Sequence, residues 1–327
     1  MNSRQIPQND VSGLLLLNKK SGLTSFEALG AVKRALSTRK VGHTGTLDKF
    51  AEGLLLVLTG RALKLSPWFT HCDKHYEAVV RFGAETDTLD PEGAVIAEAE
   101  IPSREAVEKA LSDFSGVILQ APPAYSAIHI NGKRASALAR SGEPPPEMKK
   151  REVTIYALTL RSWEPPFALF HVHCSSGTYI RSLARDIALA AGSRAYLTGL
   201  KRTKVAGFAL SQAVRLDENS AGESSVSGDN GLAAALTPIN KAVFSALGLP
   251  LFEIDAHSVQ KIIQGKPLSN MINDDIKYSS ASSADLRALC GLSSAVVPAG
   301  IFCGDDFIAM IEKHGETWKY GYVYAHN

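Results

Sequence analysis

The sequence predicts a two-domain α/β (α+β) chain, a larger mixed domain followed by a small β-rich one. Three observations predict it. At 327 residues the chain is longer than one hydrophobic core usually serves. Strand-like and helix-like periods both recur over residues 13–205, whereas residues 249–327 hold only short strand-like runs between glycines and charges. Hydrophobic residues make up 45% and charged residues 21%, an ordinary globular composition with ample core material.

The elements follow in order. Residues 13–18 are a short apolar run closed by polar residues and read as a buried strand. Thr24-Ser25-Phe26-Glu27 has the S/T-x-x-E form of a capping box, and the helix it starts carries apolar Phe26, Leu29, Ala31, Val32 and Leu36. Residues 42–48 are small and polar without a helical period and read as a loop, ahead of the apolar run 54–58. Residues 76–82 mix aromatic and β-branched types as a strand does. Residues 103–114 read as a helix, with Pro102 before its cap and Val107, Ala110, Leu111 and Phe114 on one stripe. Residues 153–163 and 167–174 read as strands joined at Pro165-Pro166. The second puts Phe170, Val172 and Cys174 on one face and His171 and His173 on the other. Residues 180–191 read as a helix closed by Gly192.

Two stretches break the pattern. Residues 131–151 are polar and basic and carry Pro144-Pro145-Pro146, a surface excursion. Residues 218–231 are rich in Ser and Gly, a flexible linker. In the last region, 295–297, 307–311 and 318–323 are strand-like. There is no internal repeat.

The net charge of +2 announces no polyanionic partner, but the basic residues cluster. Lys19, Lys20, Lys33, Arg34, Arg39 and Lys40 form one group, Lys149, Lys150 and Arg151 a second, and Lys201, Arg202 and Lys204 a third. Each alone reads as a solvated face; together, beside polar motifs, they point to a polyanion. Cys72, Cys174, Cys290 and Cys303 form no C-x-x-C pair. Residues 1–11 are polar, and no apolar run is long enough to span a bilayer. The expectation is a reduced, cytoplasmic location and no membrane partner.

Three groups of residues invite a chemical reading. Asp48 ends Gly42-His43-Thr44-Gly45-Thr46-Leu47-Asp48. Alone it reads as the cap of a helix or turn, although Gly53 interrupts any helix at once. His171, His173 and Cys174 resemble a metal set, but no second ligand cluster accompanies them, and surface histidines are the plainer reading. Residues 175–181 link a strand to a helix and place Tyr179 and Arg181 at the junction, where sites form. An arginine there can pair with a carboxylate and hold it ionised. Tyr76 alone reads as a core aromatic, and Lys19 as a surface cation ending a strand.

Six segments together resemble the tRNA pseudouridine synthase B (TruB) family. They are GLLLLNKKSGLTS (13–25), VGHTGTLDKFAEGLLLVLTGRALK (41–64), KHYEAVVRFGAETDTLDPEG (74–93), PPAYSAIHINGKRA (122–135), CSSGTYIRSLARDIA (174–188) and AYLTGLKRTKVAGF (195–208). The resemblance implies a mixed-sheet pseudouridine synthase core over 1–244, an RNA-gripping insertion at about 124–152, and a small C-terminal PUA-like β domain over 249–327. It implies isomerisation of uridine 55 in the T-loop of tRNA after the base is flipped out, and a role in tRNA folding. Asp48 would be the essential carboxylate, with Arg181 pairing with it and Tyr76 stacking on the uracil near the departing proton. His43 would hold the nucleotide out, Tyr179 and the main chain at Leu200 would complete the pocket, and Lys19 would support it. No cofactor, no metal and no guide RNA are implied, and a monomer is expected.

The family usually continues after its aspartate with Pro-Leu-Ala-Thr/Ser-Gly, where this chain has Lys49-Phe50-Ala51-Glu52-Gly53. It usually has Pro after the lysine, where this chain has Lys20. Two other readings compete: a non-catalytic RNA-binding or RNA-folding module, and a metal-dependent hydrolase built on His171, His173 and Cys174.

Overall fold

The computed structural model describes residues 11–126, 148–216, 231–268, 296–315 and 317–324, with the backbone of 129–130 and 133–134. Most of the expected insertion and the Ser/Gly-rich segment therefore lie outside the described residues. The chain forms two compact units. The first comprises 1–49, 53–72 and 204–327, and the second 50–52 and 73–203.

In the first unit, β1 (Gly13–Lys19) begins the chain's mixed sheet, and α1 (Ser25–Ala35) follows it. The expected capping box is present: Thr24 accepts from the Glu27 backbone N–H, and the Glu27 side chain accepts from the Thr24 N–H. That second bond holds the Glu27 carboxyl below the usual carboxylate range. Phe26 departs from the expected stripe. It is 73% exposed, and Lys33 lies over its ring at 5.3 Å. The face that buries is Ala28, Leu29, Ala31 and Val32, one position further round the helix.

The segment read as a loop begins with a strand. β2 (Val41–His43) pairs antiparallel with β3 (Glu52–Thr59), Val41 opposite Thr59 and His43 opposite Val57. Only residues 44–51 are irregular. β3 is buried along almost its whole length and pairs antiparallel with β1, Leu16 opposite Leu56 and Lys19 opposite Gly53. The helix α2 (Ser66–Thr70) follows a 3-10 turn.

In the second unit, β4 (Lys74–Phe82) alternates, with Tyr76, Ala78, Val80 and Phe82 buried. The hairpin β5 (Ala84–Thr86) and β6 (Val95–Glu98) precedes α3 (Arg104–Leu111), capped by Ser103. The expected helix to residue 114 stops at Leu111 and finishes as a 3-10 turn, and only Val107 and Ala110 of the proposed stripe are buried. β7 (Gly116–Gln120) and the short pair β8 (His129–Ile130) and β9 (Lys133–Arg134) come next. β10 (Arg151–Glu164) and β11 (Phe167–Cys174) form the long hairpin expected around the Pro pair. α4 (Ile180–Ala190) buries Ile180, Leu183, Ala184, Ile187 and Ala188, a helical-period stripe. It ends as the sequence suggests. Gly192 has φ of 75°, its N–H bonds Leu189 O, and the Ser193 N–H bonds Ala188 O, a Schellman closure. The strand order in this unit is β12 (Ala195–Val205), β4, β11, β10, β7.

The rest of the chain belongs to the first unit. β13 (Phe208–Ala209) folds back on the end of β12, and β14 (Val214–Arg215) pairs parallel with β1, which makes the sheet mixed. After α5 (Lys241–Ala246), β15 (Leu251–Glu253), β16 (Val296–Cys303), β17 (Asp306–His314) and β18 (Thr317–Val323) form the four-stranded C-terminal sheet. The helix α6 (Ala256–Ile263) lies in the region expected to be β-rich, where Asp255 caps an amphipathic turn that buries Ile262.

One face of this sheet contributes Phe302, Phe307 and Met310 to a core shared with Leu14, Leu54, Leu56 and Phe244. The rings of Phe244 and Phe302 meet edge-on at 5.1 Å. The other face packs Ile301, Ile308 and Ile311 against Ile262.

No described helix is long and apolar enough to cross a membrane. The thiol of Cys174 is buried, which pushes its pKa up to about 12. Alkylation of the native protein at pH 8 should therefore modify partly exposed Cys303 well before Cys174. Peptide mass spectrometry checks the order, and Cys174 labelling as fast as Cys303 would contradict it.

Candidate active site

Asp48 sits in the irregular stretch between β2 and β3 and is half-buried. No helix follows it, so it is not a helix cap. Both of its neighbours in sequence are fixed by groups from elsewhere in the same unit. On one side, Ser25, the first residue of α1, brackets Leu47: its Oγ accepts the Leu47 N–H at 2.9 Å and donates to the Leu47 carbonyl at 3.0 Å. Leu47 is buried, so these two polar groups need such partners.

On the other side, the Lys49 carbonyl accepts from the Gly22 N–H at 2.9 Å and from Lys19 Nζ at 3.5 Å. Lys19 is not the surface cation its position at the end of β1 suggests. It is fully buried, and its ammonium also donates to Leu23 O at 2.6 Å and Lys20 O at 3.0 Å. A buried ammonium needs such compensation, since desolvation alone costs several kcal/mol. The side chain of Lys49, which departs from the family pattern, is exposed. Gly53, opposite Lys19, has φ of 105°, a conformation that favours glycine and lets β3 begin straight after the loop. His43 is half-buried at the end of β2, five residues before Asp48.

The second unit holds the other expected residues. Tyr76 is buried in β4, opposite Val172 of β11. Leu200 is buried in β12. Tyr179 precedes α4, and its backbone is gripped by buried Gln120 of β7. The Gln120 Oε1 accepts the Tyr179 N–H at 2.8 Å, and Nε2 donates to its carbonyl at 3.1 Å. α4 packs on α3 and on β4.

Arg181, in the first turn of α4, is 4% exposed. Within its unit its guanidinium donates to Asp90 Oδ2 at 3.3 Å, Thr88 O at 2.8 Å and Tyr125 O at 3.0 Å. Asp90 is itself set by Thr88 Oγ1 at 2.6 Å and the Glu92 N–H at 3.0 Å, donors to its other oxygen. Sequence reasoning misses Asp90, Ser25 and Gln120. Thr-Asp-Thr-Leu-Asp-Pro-Glu-Gly carries the resemblance only as a motif, and its final aspartate reads as an ordinary turn residue. Ser25 is visible only as part of a capping box, and Gln120 carries no signal.

The basic groups divide. Arg34, Arg39, Lys40, Lys149, Lys150 and Arg151 are exposed. Arg202, like Lys19, is buried, and Lys201 pairs with Glu52 at 3.5 Å. The set His171, His173 and Cys174 does not converge: Cys174 is buried on one face of β11, where its thiol contacts Lys74 O at 3.8 Å, and the histidines lie on the other.

The chain is similar to known proteins. Residues 33–180 match the model of the TruB family pseudouridylate synthase N-terminal domain. A tRNA pseudouridine synthase B of Cupriavidus metallidurans is 40% identical over 268 residues, covering 81% of this chain and 82% of that protein. The chain belongs to the TruB family. Within that family, the enzyme of the same name from Borreliella burgdorferi (strain ZS7) is 49% identical over 202 residues, 61% of this chain and 71% of the relative. The crystal structure of a Cbf5-Nop10-Gar1 complex contains a chain of the same fold, with a TM-score of 0.66 at 21% identity over 96% of this chain and 84% of that one. For this TruB-family chain, Ser25→Ala should leave the buried Leu47 N–H and carbonyl without their partner. The expected loss is about 1–3 kcal/mol of stability in chemical denaturation, and an unchanged midpoint would show that Ser25 does not brace the loop.

Proposed function

We propose that the protein isomerises uridine to pseudouridine in tRNA, at position 55 of the T-loop, with Asp48 as the essential carboxylate. The observation that carries this reading is the loop around Asp48. A carboxylate that acts on a reacting bond must be held in place, and Leu47 and Lys49 are fixed on either side of it by Ser25 and Lys19. Membership of the TruB family and relatives named tRNA pseudouridine synthase B support the reaction class.

The reaction breaks the bond from C1′ to N1 of uracil and forms one from C1′ to C5. The C5 proton is lost and N1 gains one, so no electrons change hands and no cofactor is required. The carboxylate serves as nucleophile or base beside the glycosidic bond. Arg181 supplies the balancing positive charge. Tyr76 stacks on the flipped uracil near the departing proton, His43 keeps the nucleotide out of its loop, and Tyr179, the Leu200 main chain and Lys19 support the pocket. Extruding a stacked base costs on the order of a few kcal/mol, which aromatic stacking and phosphate contacts offset.

The protein acts on the T-arm as a monomer in the cytoplasm and without a guide RNA. Residues 1–244 form the catalytic domain, with the insertion at about 124–152 gripping RNA, and 249–327 serve as a PUA-like RNA-binding domain. Exposed Arg34, Arg39, Lys40, Lys149, Lys150 and Arg151 supply phosphate contacts.

Two measurements test this. Incubated with an unmodified tRNA transcript, the wild type should form pseudouridine at one T-loop position. Asp48→Asn should form none while binding the RNA within a few-fold. Turnover by Asp48→Asn would remove Asp48 from the reaction. Binding without product by a folded wild type would leave an RNA-folding module as the function. Replacing Lys149 and Lys150 by Ala should weaken tRNA binding and lower the slope of log affinity against log salt by about 1 for each phosphate no longer neutralised. An unchanged slope would place the RNA elsewhere.

A further inference from the structure

Apart from the residues assigned to the reaction, one group of ligand-type side chains converges among the described residues: Asp73, His75 and His173, whose ligand atoms all lie within 4.8 Å of one another. Strand pairing brings the histidines together. His75 of β4 and His173 of β11 are direct partners in the antiparallel register, and their rings stack with centroids 3.9 Å apart and planes 10° from parallel. Asp73, one residue before β4, sets its Oδ2 2.5 Å from His173 Nε2 and 3.9 Å from His75 Nε2. The carboxylate is nearly buried, whereas the imidazoles are 21% and 27% exposed, so solvent reaches the group from one side. The rings of Tyr156 and His171 flank it, at 4.7 Å from His173 and 5.9 Å from His75.

We propose that Asp73, His75 and His173 form a binding site for a divalent transition-metal cation of the zinc class. The donor set, two imidazoles and one carboxylate, suits zinc, cobalt or nickel rather than the hard cations magnesium and calcium. Metal–donor bonds of about 2.0–2.2 Å at tetrahedral angles put donor atoms roughly 3.3–3.5 Å apart. The separations of 2.5 and 3.9 Å straddle that value, and rotation about χ1 and χ2 that turns the stacked imidazoles out of their parallel planes brings all three donors onto one ion. The ion takes the place of the proton between His173 and Asp73, which leaves for solvent, and water fills the fourth position. Oxidation states do not change.

The site is distinct from the proposed catalytic residues. Because side chains alternate along a strand, His75 faces away from its neighbour Tyr76, and His173 away from Val172, the partner of Tyr76. The ion is therefore a clamp joining β4 to β11 across the back of the strand that carries Tyr76, and not a participant in the uridine chemistry. Two rigid strands supply the imidazoles, which favours a preformed site over one assembled from loops.

The test uses the full chain stripped with a chelator and then dialysed. Zinc chloride is titrated by calorimetry, and cobalt chloride is followed by visible absorption. The wild type should bind one equivalent, show the intense absorption bands of tetrahedral cobalt, and gain thermal stability with zinc. His75→Asn retains the Asp73–His173 hydrogen bond, so it should fold normally by circular dichroism. Its affinity should nonetheless fall at least tenfold, since even outer partners of metal ligands are worth about 10–100-fold. His71→Asn, an exposed histidine outside the group, should bind as the wild type does. A folded wild type that takes up neither ion, or a His75→Asn protein that binds zinc as tightly as the wild type, would overturn the proposal and leave a hydrogen-bonded packing cluster in its place.

Discussion

The buried ammonium of Lys19 is the constraint around which the Asp48 loop is built. A cation removed from water must find oxygen atoms, and here they are backbone carbonyls of Lys20, Leu23 and Lys49. Two of those lie in the turn that leads to α1, and the third lies just past Asp48. One charge at the end of β1 therefore fixes both the entry to the first helix and the far side of the Asp48 loop. Lys20, where the family has proline, enters this arrangement through its carbonyl.

The same device recurs with neutral groups. Ser25 satisfies both backbone groups of Leu47, and Gln120 satisfies both backbone groups of Tyr179. In each case a buried side chain does for a loop residue what a neighbouring strand does in a sheet. Arg181 and Asp90 extend the pattern to a buried ion pair with further partners in Thr88, Tyr125 and Glu92. Removing one partner of such a pair strands a charge, which is why the pair has companions on both sides. Irregular segments braced in this way combine the adaptable geometry of loops with the fixed positions that chemistry needs.

Features set by local sequence are legible without the structure. The capping box at Thr24, the Gly192 closure and the alternation of β11 each depend on residues a few positions apart. Features set at long range are not. The end of β2, Gly42 and His43, reads as loop because its pairing with β3 is not visible in so short a segment. Lys19 and Arg202 read as solvated cations because burial depends on what the fold lays over them. Phe26 matches a helical stripe by spacing, yet Ala28 and Leu29 define the inward direction. The metal-like run at His171 illustrates the same limit: neighbours in sequence part across the sheet, while Asp73 and His75, about a hundred residues away, arrive beside His173. The aspartate of the Gly-His-Thr-Gly-Thr-Leu-Asp motif is readable only through family resemblance, since nothing local separates it from a turn residue.

The shared core of the first unit has a consequence for how the chain acquires its shape. Leu14 near the start and Phe302, Phe307 and Met310 near the end line one apolar interior with Leu54, Leu56 and Phe244. During synthesis that interior stays partly open until residues 302–310 have emerged. Residues 73–203 draw on no such late arrival for their own strand pairs. Residues 73–203 can thus pair their strands on the ribosome before that interior closes.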